Sequence, residues 1–216
     1  MKYSLAIFDL DGTILDTLDD LADSTNAVLI SAGMPARSRD EVRKFVGNGI
    51  HKLIERAVPQ GSTGEQIESV FEAFKSYYKA HCAIKTKPYD GIPELLSALR
   101  RAGCKTAVVS NKADFAVQEL CQQYFPDMFD FAVGEKADVR RKPAPDSVNT
   151  VLETLRVSRS DAVYIGDSDV DIETAANAGL DCLSVEWGFR NREFLLEHGA
   201  KVLLSEPSEL SRLLLG

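Results

Sequence analysis

The chain is short of the residues that staple or metallate small proteins. Its four cysteines, Cys82, Cys104, Cys121 and Cys182, form no CxxC pair, and its three histidines, His51, His81 and His198, stand apart from them and from each other. That scatter argues against structural zinc and for reduced thiols. Basic charge is short as well: 25 Lys and Arg against 33 Asp and Glu give a net charge of −8. Nothing here offers an electrostatic footprint for nucleic acid or an anionic membrane, so a small-molecule partner is expected. Long apolar runs are missing, and the N-terminal one is broken by Asp9 too early for a signal peptide. The expected setting is cytoplasmic, with no membrane and no nucleic acid among the partners.

What is present is an ordinary globular composition, 44% hydrophobic and 27% charged over 216 residues, enough for one large domain or two modest ones. The stretch AIFDLDGTILDT, Ala6 to Thr17, stands out. An apolar strand-like run stops on two carboxylates, Asp9 and Asp11, followed by Gly12 and Thr13. In a continuing strand both would project to one side, where like charges repel and need a counter-charge, a shared proton or water.

After this strand the period becomes helical. Leu18, Leu21, Ala22, Thr25, Val28, Leu29 and Ala32 recur at helix spacing, with Asp16 or Thr17 as candidate caps and Gly33 suited to the C-terminal turn. Ser38 with Glu41 and Thr63 with Gln66 have capping-box spacing, and IHKLIERAV between them reads as another helix. From Pro88 onward strands and helices alternate. The expected strands are Lys105 to Ser110, Phe131 to Val133, Ala162 to Gly166, Asp181 to Val185 and Val202 to Leu204, with a helix expected from Asp171 to Ala178 among others. Such alternation predicts an α/β fold, a Rossmann-like parallel sheet with helices on both faces. Residues 1–15 and 86–216 would make this core, with 16–85 as a helical insertion after the first strand.

Ligands of open parallel sheets bind beyond the carboxyl ends of the strands. Those ends carry Asp9 and Asp11, Ser110 and Asn111, and Asp167 with Asp169 and Asp171; a further loop holds Arg140, Arg141 and Lys142. Asp9, Asp11 and Asp167 would form an oxygen-rich cluster suited to a hard divalent cation, with Lys142 adding positive charge.

DLDGT at Asp9–Thr13, the Ser110-Asn111 pair, Lys142-Pro143 and GDSDVD at Gly166–Asp171 resemble, in order, the four motifs of the haloacid dehalogenase superfamily, in its aspartate-nucleophile phosphatase branch. VGNG at Val46–Gly49 and EWGFR at Glu186–Arg190 are similar to loops of its phosphoglycolate phosphatase group. The resemblance implies Asp9 as nucleophile, Asp11 as general acid and base, and Lys142 as the neutralising cation. It implies Mg²⁺ held by Asp9, Asp167, the main-chain carbonyl of Asp11 and, through water or a hydrogen bond, Asp171. Thr13 would orient Asp9, while Ser110 and the Asn111 N–H would hold phosphoryl oxygens. Gly47, Asn48 and Gly49 would contact substrate from an all-helical cap domain formed by the insertion. The implied substrate is a small phosphorylated metabolite, specifically 2-phosphoglycolate, acted on by a monomer or homodimer.

Each feature also has a plainer reading. Ser110-Asn111 could cap the next helix, Asp169 and Asp171 could favour a helix N-terminus, and VGNG could be a simple connection. Within the superfamily, a 2-haloacid dehalogenase has no use for Asp11 and Asp167. A sugar phosphomutase would tend to have valine where Thr13 stands and a cap arginine where Ile50 stands, and an inorganic pyrophosphatase would share the core motifs. A non-catalytic phospho-acceptor related to receiver modules would lack the helical insertion.

Overall fold

A computed structural model describes residues 2–216. The chain forms two compact units, residues 1–15 with 88–216 and residues 16–87. The first unit opens with β1 (Leu5–Phe8), whose four residues are all buried. At the crossings between units lie two short strands that pair with each other, β2 (Leu15–Asp16) and β3 (Lys87–Pro88).

Residues 16–87 contain α1 (Leu18–Ser31), α2 (Arg39–Phe45), α3 (Ile50–Ala57) and α4 (Gly64–His81). Both capping boxes form: Ser38 and Glu41 open α2, and Thr63 and Gln66 open α4. Of the two candidate caps, Thr17 occupies the cap position of α1 but its side chain makes no capping hydrogen bond. The Leu18 N–H instead lies 3.4 Å from Asp16 Oδ1. Gly33, at φ +70°, ends the helix with Met34 N–H donating to Leu29 O at 2.9 Å, a geometry that a Cβ would strain. Leu29, Leu53, Ile54 and Phe74 fill the interior. Asp20 is buried on the return of the chain, accepting from the N–H groups of Lys85 and Thr86 at 2.8–3.0 Å.

The larger unit continues with α5 (Ile92–Arg101), β4 (Lys105–Ala113), α6 (Asp114–Tyr124), β5 (Phe131–Glu135), α7 (Asp146–Leu155), β6 (Ala162–Gly166), α8 (Asp169–Ala178), β7 (Asp181–Val185), α9 (Arg192–Glu197), β8 (Leu203–Leu204) and α10 (Pro207–Leu215). The parallel sheet has six strands in the order β5-β4-β1-β6-β7-β8. On one face Leu5, Ile7, Val109 and Tyr164 pack with Val148, Val151 and Ala175 from α7 and α8. Burial on both faces explains why β1 and β6 read as unbroken apolar runs. Phe8 pairs with Val108 on one side and Ile165 on the other, so the residues that follow each strand emerge together at one sheet edge.

The strand expected at Phe131 to Val133 runs on to Glu135 and the last strand is Leu203–Leu204, and two further boundary shifts bear on the site. β4 runs on past Ser110 to Ala113, so Ser110 and Asn111 do not cap α6, whose cap position is Ala113. α8 starts at Asp169, two residues earlier than its apolar pattern suggests, because Ser168 caps it through a box with Asp171.

Candidate active site

The Asp9 N–H still bonds to Ile165 O at 2.9 Å, which fixes the backbone at the point where the strand ends. Gly12 then turns the chain at φ +84°; a Cβ there would lie 2.4 Å from Asp167 Oδ2, so only glycine fits. This turn separates the two carboxylates that a continuing strand would have kept together, and each has its own buried lysine.

Asp9 meets Lys142, with Oδ1 and Nζ 2.8 Å apart. The same ammonium lies 2.8 Å from Asp171 Oδ1 and 3.0 Å from the Tyr164 hydroxyl. Lys142 is aimed by Asn111: the Asn111 carboxamide accepts from the Lys142 N–H at 2.9 Å and donates to its carbonyl at 3.1 Å. The other oxygen of Asp171 accepts from the Ser168 N–H at 3.1 Å and its hydroxyl at 2.6 Å. Asp171 thus caps α8 and also faces the site.

Asp167, past the end of β6, accepts the Phe189 N–H at 2.6 Å. Thr13 Oγ lies 3.4 Å from Asp167 Oδ1, so this hydroxyl serves Asp167 and not, as expected from the sequence, Asp9. The Trp187 indole N–H donates to Thr13 O at 2.9 Å and secures the turn. Carboxylate oxygens of Asp9, Asp167 and Asp171 lie within 4.8 Å of one another, all buried.

Asp11 stands outside that triad. Lys112 Nζ lies 2.9 and 3.3 Å from its two oxygens, and the Lys112 side chain is only 3% exposed. The Lys112 N–H donates to Ser110 Oγ at 3.2 Å, tying the lysine to the hydroxyl expected to bind phosphoryl oxygen. The sequence reading did not single out Lys112, although it follows Ser110 by the same two-residue step that linked Asp9 and Asp11.

Electrostatics follow from burial. Asp9 is pushed up to about 7, chiefly by desolvation, with Lys142 opposing and Asp171 reinforcing the rise. Burial, then Asp171 and Asp9, raises Asp167 in the same direction. Burial would lower the Lys142 ammonium, but Asp171 and Asp9 outweigh it and hold the lysine well above its ordinary value. Asp9, Asp11, Asp167 and Asp171 face two lysines, leaving an excess of negative charge. An all-oxygen donor set with that excess fits a hard divalent cation.

Gly47, Asn48 and Gly49 belong to the other unit, between α2 and α3. There Asn48 Oδ1 accepts from Arg56 Nη2 at 2.8 Å, and Arg56 Nη1 donates to Phe45 O at 2.7 Å, so the loop is braced from within. His51 is at the surface beside Glu68, 2.6 Å away. Arg140 is exposed and paired with Asp146, as a solvated charge would be.

Residues 6–185 match the family described as haloacid dehalogenase-like hydrolase. The chain belongs to that family. It is 32% identical over 212 residues to the N-acetylmuramic acid 6-phosphate phosphatase of Pseudomonas aeruginosa, covering 97% of this chain and 94% of that protein. It is 33% identical to the phosphoglycolate phosphatase of Aquifex aeolicus, covering 96% and 95%. A provisionally assigned phosphoglycolate phosphatase of Lactobacillus delbrueckii subsp. bulgaricus superposes with a TM-score of 0.95 at 41% identity over the whole of both chains. The protein is a phosphoglycolate phosphatase-like hydrolase of phosphoric monoesters. No helix among the described residues is long and apolar enough to cross a membrane.

Proposed function

We propose that the protein hydrolyses 2-phosphoglycolate with Mg²⁺, through an aspartyl-phosphate on Asp9. The observation that carries this reading is the buried Asp9–Asp167–Asp171 triad joined to Lys142, with Asp11 held apart on its own lysine. An Asp9 oxygen attacks phosphorus and the ester P–O bond breaks. Asp11 gives its proton to the departing glycolate oxygen. Water then attacks phosphorus, Asp11 takes a proton from it, and the bond to Asp9 breaks to release phosphate. Ser110, the Asn111 N–H and Lys142 hold the charge that develops on the phosphoryl oxygens. Asp9, Asp167, Asp171 and the Asp11 carbonyl would hold the Mg²⁺, which when bound screens the nucleophile from the anionic phosphoryl group.

The helical unit, residues 16–87, serves in this reading as the cap, with Gly47, Asn48 and Gly49 as its substrate loop. Because Asn48 Oδ1 is engaged by Arg56, its amide N–H₂ is the end offered to substrate. The scatter of the four cysteines and the acidic charge support a cytoplasmic enzyme acting on a small metabolite.

The similarity to the Pseudomonas enzyme, extending over nearly the whole chain, favours N-acetylmuramic acid 6-phosphate as a second substrate reading. Both are tested by kcat/KM for phosphate release from a panel containing the two esters, sugar phosphates and pyrophosphate. The first reading requires 2-phosphoglycolate to rank highest. A far higher value for the amino-sugar ester would replace it with the second. Steady-state turnover of any of them excludes a phospho-acceptor module.

A further inference from the structure

We propose that Tyr164 is a positioning residue of the active site, whose hydroxyl holds the Lys142 ammonium in the orientation that acts on Asp9 and on the transferring phosphoryl group. This rests on the reading of Asp9 and Lys142 given above. Tyr164 lies in the middle of β6, fully buried, and is among the largest side chains of the interior. Its ring belongs to the cluster of Leu5, Ile7 and Val109, a place that phenylalanine would fill without bringing a hydroxyl into the core. A buried hydroxyl is costly unless it is bonded, and the bonds of this one fall on the site.

An ammonium has three N–H donors. Around Lys142 Nζ stand three oxygens: Asp171 Oδ1 at 2.8 Å, the Tyr164 hydroxyl at 3.0 Å and Asp9 Oδ1 at 2.8 Å. The first two are aligned as hydrogen-bond acceptors. Asp9 Oδ1 is buried and, among the described residues, has no donor aligned on it, so the ammonium reaches this carboxylate as a charge and not through a directed bond. That distinction matters to a nucleophile. A hydrogen bond aimed at Asp9 would occupy a lone pair that attack on phosphorus needs, whereas a nearby charge still offsets the repulsion of the anionic ester.

Asn111 fixes the Lys142 backbone, and Tyr164 fixes its head. The phenol has one proton, for which Asp171 Oδ1 and Val109 O compete at 3.2 Å each. Its oxygen accepts from Lys142, so the hydroxyl ties the ammonium both to β4 and to the carboxylate that shares it. With that hydroxyl removed, one Lys142 N–H loses its acceptor and can turn onto Asp9 Oδ1.

The test is a double-mutant cycle. Values of kcat and KM are measured for 2-phosphoglycolate and p-nitrophenyl phosphate with saturating Mg²⁺ in wild type, Tyr164→Phe, Lys142→Ala and the double variant, each checked for folding by its melting temperature. Tyr164→Phe should lower kcat about tenfold and leave KM within about twofold. In Lys142→Ala the same change should lower kcat by less than about twofold, because the residue through which it acts is gone. Should Lys142→Ala not fold, Lys142→Met, which keeps the length of the side chain, takes its place. An unchanged kcat in Tyr164→Phe, a loss seen only in KM, or an equal loss with and without Lys142 would mean that the hydroxyl does not act through the ammonium, and would overturn the proposal. A Lys142→Ala enzyme that turns over like wild type would overturn the reading of Lys142 itself, and the proposal with it. The p-nitrophenyl ester keeps the test independent of whether 2-phosphoglycolate is the natural substrate.

Discussion

Lys142 and Lys112 are both buried at the same edge of the sheet, yet they are built in differently. Lys142 has three polar partners, Asp9, Asp171 and Tyr164, and its backbone is clamped from both sides by the Asn111 carboxamide. Lys112 sits at the end of β4, where pairing to β5 shifts register between Val109 and Ala113, and its side chain holds Asp11. The contrast suits a division of labour. The nucleophile's side, common to every phosphate ester, is fixed by a network; the Asp11 side is carried by the end of a strand whose pairing is irregular.

The largest effect that would break this comparison is at Asp9. Asp9→Asn should lower kcat by about 10⁴-fold or more while the protein stays folded, because the nucleophile is lost with little change of volume. Turnover near wild type with saturating Mg²⁺ would remove Asp9 from its role. Lys142→Ala comes next, at roughly 10²–10³-fold in kcat, with a lowered melting temperature because Asp9 and Asp171 are left buried without their cation. Its loss should be similar on 2-phosphoglycolate and on ethyl phosphate, which has a methyl group in place of the carboxylate, because Lys142 acts on the phosphoryl group that both share. Asn111→Ala, which releases the clamp on Lys142, should cost roughly tenfold in kcat and leave the ratio between those two esters in place. If it altered that ratio instead, the two sides would not be separate.

The smallest effect is on stability and has a definite sign. Asp9 titrates near 7 in the folded chain against an ordinary 3.8, so between those values the native state keeps a proton that the unfolded chain has released. Stability of the metal-free protein must then fall as pH rises through this window, and Asp167, raised in the same direction, adds to the fall. Melting about 5 °C lower at pH 8 than at pH 5 is expected, with Mg²⁺ restoring more at pH 8 and Asp9→Asn flattening the slope. A melting temperature that rose over this range without metal would contradict the burial of Asp9.

Much of this site was legible because its parts lie at strand ends, and strands covered on both faces are conspicuous. β6 and β7 run from Ala162 to Gly166 and from Asp181 to Val185, as their apolar pattern predicts. The short signals read well too: the Ser38 and Thr63 boxes are local, and local hydrogen bonds leave local patterns. Partnerships were not legible. Lys112 with Asp11 spans 101 residues and Thr13 with Asp167 spans 154, and nothing in either segment states which carboxylate a hydroxyl or ammonium will choose. The strand was expected to end at Ser110 because the polar residues after it resemble a loop, whereas β4 continues to Ala113 and carries the Lys112 side chain inward. The Ser168 cap was hidden because its partner in the box is Asp171, where an aspartate stands in place of the usual Glu or Gln.

Passage of phosphate through Asp9 can be tested directly. Wild-type enzyme turning over 2-phosphoglycolate with Mg²⁺ is quenched in acid within one turnover, reduced with borohydride, which converts an aspartyl-phosphate to homoserine, and mapped by peptide mass spectrometry. Homoserine is expected at position 9 alone, absent without substrate. Homoserine at position 11 or 167, or none in samples that have released glycolate, would contradict it.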